Sequence, residues 1–368
     1  MQRYNDAIAA LNTLVSSSDT TGAHLDVVLI CCVVFITIEN LHGRSAAAAC
    51  HLRAGCDIVK RFRSAPVGAI AHKMAGRADD MGRFLLVLQD MLNGFGRCLA
   101  SYVGLDLFAD LDFGVPVSDV GHPAVPFASL GEAEAMLANI DRAFYTRMWK
   151  VKAYSPQPSN VVDVFADRTR SLESQGPKMN LTHRRAARMA TTQDFLVWRK
   201  RCEPLLARQD GDVRRIASLA LDQGIWGIIL GDGSGGEPYA SEKCHRVLNL
   251  AEDVVRTDAS AADRRPLFTC EGMLIWALYY ICYGSEDTTV RKRCIALLRA
   301  ANRREGLWDS RDVATICETA EAALGSGAMS WGDIPHGVLT LADMLHVRPR
   351  GFSLESVRDL GADRAGRG

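Results

Sequence analysis

Two stretches of this chain are apolar around a full helical turn, and they limit the folds open to it more than any other feature. The first is LDVVLICCVVFITIENL, residues 25–41, and the second is LFTCEGMLIWALYYICYG, residues 267–284. A helix without a polar face must be covered on all sides, by lipid or by other protein. In the first run Asp26 and Glu39 leave only a dozen uncharged residues between them, short of the roughly 20 that cross a bilayer. Both segments are therefore predicted as core helices, and no membrane span is expected.

Helical spacing dominates elsewhere. Leu25, Val28, Leu29, Cys32, Phe35 and Ile36 recur at i, i+3, i+4 and i+7, which places them on one helix face. GRSAAAACHLRAGCDIVKRF predicts a second helix, whose alanines at 46–49 let a neighbour approach closely. Further helices are predicted over 82–101, over 132–151 and through DFLVWRKRCEPLL. Breaks are predicted at the Pro- and Gly-rich 114–131, at YSPQPSN, at SQGPKMN and at TDASAADRRP. Strand alternation is scarce and no internal repeat stands out. The expected fold is all-α, with about a dozen helices packed as stacked antiparallel pairs in one large domain over residues 1–350. The tail, 351–368, has nothing to bury and is expected to be mostly disordered.

Charge and cysteine usage narrow the function classes. Lys plus Arg and Asp plus Glu both number 43, so the basic excess of a typical nucleic-acid-binding domain is missing. The eleven cysteines lie mostly in apolar runs, where reduced cysteine acts as a small hydrophobe. Their odd number and the lack of a signal peptide predict an intracellular, reducing compartment. No two are spaced C-x-x-C, so no structural zinc site, and no metal or cofactor, is expected.

Several motifs tempt a catalytic reading. Gly231, Gly233 and Gly236 have the spacing of a dinucleotide-binding loop, but such a loop follows a strand. The residues before it, DVRRIASLALDQGIWGIIL, read as helix, so a helix–helix linker is the better reading. Residues 112–114, DFG, stand without the other kinase motifs, and Asp79 and Asp80 face Arg83 rather than a third acid. The basic stretch THRRAARMATTQDFLVWRKR reads as a solvated helix face before it reads as a phosphate site. Tryptophans 198, 226, 276, 308 and 331 read as core. Glu39 and His51, with Arg44 or Arg53 beside them, could form an acid–base pair, although a satisfied polar contact between two helices is the commoner arrangement.

The stretch ANRREGLWDS, residues 301–310, packs an unusual set of residues into one corner. A preceding helix, striped by Val290, Cys294, Leu297, Leu298 and Ala301, is predicted to start near Ser285 and to end in Arg299, Arg303 and Arg304. Gly306 is predicted to stop it in a left-handed conformation. Leu307 and Trp308 would pin the turn, and Asp309 or Ser310 would cap the next helix, striped by Val313, Ile316, Cys317, Ala320 and Leu324.

RKRCIALLRAANRREGLWDSR also resembles the C-terminal motif of the regulatory (middle homology) region of fungal binuclear zinc-cluster transcription factors, where a basic helix runs into an R-R-E-G-x-W-D corner. LDVVLICCVVFITIENLHGRSAAAACHLRAG resembles an upstream motif of that family. There a hydrophobic helix ends in a glutamate (Glu39), followed by a glycine (Gly43), a small-residue run and His51, Leu52 and Gly55. Weaker similarities in YNDAIAALN, DFLVWRKRCEPLL and YASEKCHRVLNLAEDVV keep the family's order, from residue 4 to about 320.

The resemblance implies a transcription regulator, in the nucleus or alternatively the cytoplasm, controlling a metabolic or biosynthetic gene set. Its inputs would be a hydrophobic small molecule or a partner: another transcription factor subunit or a second copy. The residues implied for a ligand or partner groove are Glu39, Arg44, His51 and Trp308. Those implied for structural motifs are Gly43, Gly55, Arg304, Glu305, Gly306, Trp308 and Asp309. The family's six-cysteine cluster has no counterpart in this sequence, so DNA contact is expected only indirectly. Two alternatives stay open. One is a cofactor-independent isomerase, cyclase or hydrolase of fungal secondary metabolism using Glu39, His51 and Asp26. The other is a non-DNA-binding heterodimer partner.

Overall fold

A computed structural model describes residues 6–10, 13, 25–42, 44–64, 88, 91–92, 95, 120–153, 179–208, 211–230, 237, 239–261, 267–269, 272–306, 308–331, 334 and 338–347. These are mostly helical, with one small sheet. Two compact units divide the chain. The first takes Met1–Ser101, Asp110–Asp112 and Arg350–Gly368, the second Tyr102–Ala109 and Phe113–Pro349. The residues expected as a disordered tail, 351–368, lie outside the described residues, as do Gly43, Leu307, 79–83, 112–114 and 231–236.

In the first unit α1 (Leu25–Leu41) packs against α2 (Ser45–Ser64). The predicted stripe is the buried face: Val28, Leu29, Cys32, Phe35 and Ile36 are all in the core. Burial on every side is not what forms, because Val27, Ile30, Val34 and Leu41 on the opposite face are exposed. From α2, Ala48 and Leu52 join this core. Gly55 is the point of closest approach, since a Cβ there would stand 3.1 Å from the Leu92 side chain and 3.4 Å from that of Cys32. Of the helix predicted over 82–101, residues 88, 91, 92 and 95 are described and helical, with Leu88, Leu92 and Phe95 buried. No described helix is long and apolar enough to cross a membrane.

The second unit is a succession of neighbouring helices. It begins with α3 (Leu130–Ala153), α4 (Met179–Leu206), α5 (Val213–Leu230) and α6 (Ser241–Ala261); α4 packs on α3, α5 on α4 and α6 on α5, and α6 also packs on the later helix Thr288–Ala301. A capping arrangement starts α3: Ser129 Oγ accepts the Glu132 N–H at 3.2 Å, and the Glu132 carboxylate accepts the Ala128 N–H at 2.8 Å. Trp198 stacks on Phe195 at 5.8 Å and donates its indole N–H to the Ala133 carbonyl at 2.8 Å. The basic stretch of α4 is not simply a solvated face. Arg201 is buried over the Phe127 ring and donates to the carbonyls of Val120 and Val125, while Arg188 donates to the Ile229 carbonyl at 2.9 Å. Both arginines satisfy backbone carbonyls that would otherwise be orphaned at a loop and a helix end.

The remaining elements are β1 (Leu267–Thr269), α7 (Leu274–Gly284), α8 (Thr288–Ala301), β2 (Arg303–Glu305), β3 (Trp308–Asp309), α9 (Ser310–Gly325) and α10 (Val338–Met344). The second apolar run is therefore strand first and helix second. TDASA, expected in a break, is the end of α6. The corner also departs from expectation. Helix α8 stops at Asn302, which holds the left-handed conformation at φ 41° and ψ 52°, a role asparagine fills because its short polar chain tolerates it. Arg303 and Arg304 then form strand rather than helix end. β2 runs parallel to β1, pairing Arg304 with Phe268, and antiparallel to β3, pairing Glu305 with Trp308. Gly306, at φ 56°, serves the two-residue turn between β2 and β3, where positive φ suits the strand twist.

Candidate functional site

The corner gathers the densest set of buried charges among the described residues. Glu305 is 1% exposed. Its carboxylate accepts the Ile275 N–H at 2.9 Å and the Leu274 N–H, and pairs with Arg303 Nε at 2.7 Å. Those N–H groups are the first of α7, whose own N-cap, Met273, supplies no side-chain cap. Glu305 therefore caps α7 from a strand thirty residues away, placing a negative charge at the positive end of the helix. Gly272 is required for this approach, because a Cβ at 272 would lie 2.3 Å from Glu305 Oε1.

The network extends outward through Arg303. Its second guanidinium nitrogen reaches Asp258 on α6 at 2.7 Å, and Asp258 also holds Arg214 of α5 at 2.7 Å. Other described residues of the corner also have structural tasks. The Arg303 N–H donates to buried Ser310 Oγ at 3.1 Å. Trp308 is buried against Tyr279 at 5.7 Å. Asp309 caps α9 by accepting the N–H groups of Arg311 and Asp312, and it lies 3.6 Å from Arg304.

Burial pushes the Glu305 carboxyl above its ordinary range, with Arg303 and the α7 amides pulling it back. A second acid in its field is Asp222, in the middle of α5. Desolvation raises Asp222 to about 8, and the charges of Glu305, Asp141 and Glu134 add to the rise against Arg303. Such a carboxyl is protonated at neutral pH and can act as a hydrogen-bond donor or proton acceptor near pH 8. A lone acid inside SLALDQGIWG was the only sequence signal for it. Asp258 and Arg214 carried none.

The first unit holds a smaller polar cluster. Glu39, 2% exposed, pairs with Arg44 Nε at 2.6 Å across the turn between α1 and α2. His51 of α2 lies against the Phe35 ring at 5.2 Å. Burial lowers its basicity, and the Glu39 charge partly restores it. Glu39, Arg44 and His51 are thus brought together, while Trp308 is buried in the other unit. Asp26 belongs to α1, with its side chain outside the described residues.

Among the described residues no group of three or more His, Cys, Asp or Glu is placed to hold a metal ion. The helix α5 runs directly into 231–236, so a helix and not a strand precedes the glycine spacing of a dinucleotide loop. Comparison of the chain with known protein families, with characterised proteins and with solved structures finds no match in any of the three.

Proposed function

We propose that this chain is a transcription regulator of the kind found in the regulatory region of fungal zinc-cluster factors. It would act on a metabolic or biosynthetic gene set in the nucleus, reaching DNA through another transcription factor subunit or through a second copy. A hydrophobic small molecule held between helices would supply its input. The finer architecture belongs to the same reading: about a dozen helices stacked as antiparallel pairs over residues 1–350. The observation that carries it is the R-R-E-G-x-W-D corner. Arg303, Arg304, Glu305, Gly306, Trp308 and Asp309 each have a distinct task in joining β2, β3, α7 and α9, which explains why such a motif would persist as a unit in a helical regulatory scaffold.

A cofactor-independent enzyme is the second reading. It is favoured by Asp222, whose carboxyl is raised to about 8 beside the buried Glu305, rather than by Glu39 and His51, of which Glu39 is already in an ion pair. Deleting the gene and comparing transcripts and metabolites separates the two. Altered transcripts of a coherent biosynthetic set, with the tagged protein in the nucleus, support the regulator. Unchanged transcripts with one accumulating precursor, reproduced by Asp222→Asn, overturn it in favour of the enzyme.

A further inference from the structure

Three cysteines distant in sequence meet where α7, α8 and α9 pack together. Cys282 comes from the last turns of α7, Cys294 from the middle of α8 and Cys317 from the middle of α9. All three are buried and all are free thiols. Cys294 and Cys317 both come within interaction range of the Cys282 sulfur, and the Cys282 thiol donates to the Arg291 carbonyl at 4.0 Å.

Ordinary buried cysteines in this protein behave differently. Cys202 and Cys244 are pushed up to about 12 and about 11 by burial, which makes them inert packing. At Cys282 the two neighbouring thiols, together with the charge of Arg291, hold the group well below its usual range against burial. Arg291 is itself fixed: it pairs with Glu321 at 2.5 Å and donates to the carbonyls of Ser285 and Glu286. Cys282 and Cys317 are 6% and 5% exposed, whereas Cys294 is fully enclosed. A small neutral oxidant therefore meets Cys282 or Cys317 before Cys294.

We propose that Cys282, Cys294 and Cys317 form a peroxide-responsive thiol site, in which Cys282 is oxidised first and one of its two neighbours resolves it to a disulfide. In the first step the Cys282 sulfur attacks one oxygen of hydrogen peroxide. The O–O bond breaks, water leaves, and a sulfenic acid remains. In the second step the sulfur of Cys294 or Cys317 attacks the Cys282 sulfur. The S–OH bond breaks, and the departing hydroxide takes the resolving thiol's proton to leave as water. Two thiols and one peroxide thus give one disulfide and two waters: the sulfurs lose two electrons and the peroxide gains them. The product ties α7 to α8 or to α9.

The test treats the intact, folded chain with hydrogen peroxide, blocks remaining thiols with an alkylating agent, and maps peptides without reduction. The expected product joins the Cys282 peptide to that of Cys294 or Cys317, with a mass about 2 Da below the sum of the two thiol peptides. It forms faster in the folded chain than in the same chain unfolded in urea, and it disappears in Cys282→Ser. Recovery of Cys282 entirely as the alkylated thiol, with oxidation confined to the exposed Cys50, overturns the proposal. So does a link that forms faster in urea than in the folded chain, because the packing would then hinder rather than direct it. The wild-type map decides between these outcomes even where the serine variant fails to fold.

Discussion

Two buried glutamates set the two units apart. Glu305 is enclosed in the second unit, capped onto the first amides of α7 and tied through Arg303 to Asp258 and Arg214. Glu39, equally enclosed in the first unit, pairs with Arg44, whose side chain remains 39% exposed. A buried charge is tolerated only when its partners replace the water it lost. At Glu305 the replacement is spread over four elements, so its removal leaves a second charge, Arg303, in the interior with only Asp258 to balance it. At Glu39 the partner can turn to solvent. The same residue type thus holds several elements together in one unit and closes one turn in the other.

Substitutions can break this contrast, and the largest effect falls on the corner. Glu305→Ala removes the cap of α7 and leaves Arg303 buried with half its counter-charge, which is expected to cost about 4 kcal/mol in urea unfolding. Gly272→Ala keeps every charge but drives a methyl into the Glu305 carboxylate, and a loss of up to about 3 kcal/mol is expected. If Gly272→Ala is harmless, Glu305 does not need its place against the α7 amides.

Asp222 sharpens the comparison through pH. Its folded-state value, about 8, stands above the ordinary 3.8, so proton binding favours the folded chain. That contribution is fully present below about pH 4 and is lost as pH rises through 8. Asp222→Asn is expected to leave stability unchanged near pH 4 and to raise it increasingly as pH climbs from 4 to 8. A variant whose unfolding curve tracks the wild type across that range would show that Asp222 ionises freely. The smallest effect is expected at the first unit, where Glu39→Ala should cost only about 1 kcal/mol, since the Arg44 it leaves behind is 39% exposed and stays solvated. A loss as large as that of Glu305→Ala would erase the distinction between the two clusters.

How much of this was readable in advance follows from the range of each interaction. The buried stripes of α1, α8 and α9 were legible because helical periodicity repeats over many residues: Val28, Leu29, Cys32, Phe35 and Ile36, then Val290, Cys294, Leu297 and Leu298, then Val313, Ile316, Cys317 and Ala320 are in the core, while Ala301 and Leu324 at the helix ends are half-buried. The Asp309 cap was legible because it acts within three residues. β2 and β3, at three and two residues, are too short to show any alternation, and the stop at Asn302 competed with a better-known glycine four residues on. The Glu39–Arg44–His51 grouping was readable because its members bracket one turn. The role of Glu305 was hidden, because the amides it caps belong to a helix thirty residues upstream.

The sequence alone therefore determined the helical character of the chain, the faces its helices bury and the local caps, because those depend on neighbours within a turn or two. The tertiary structure decided the rest. It set the conversion of the corner into strand, the capping of α7 by Glu305, the desolvation of Asp222 and the meeting of three thiols from three helices. Each of these depends on which distant backbone or side chain replaces water around a group, and only the packed chain specifies that.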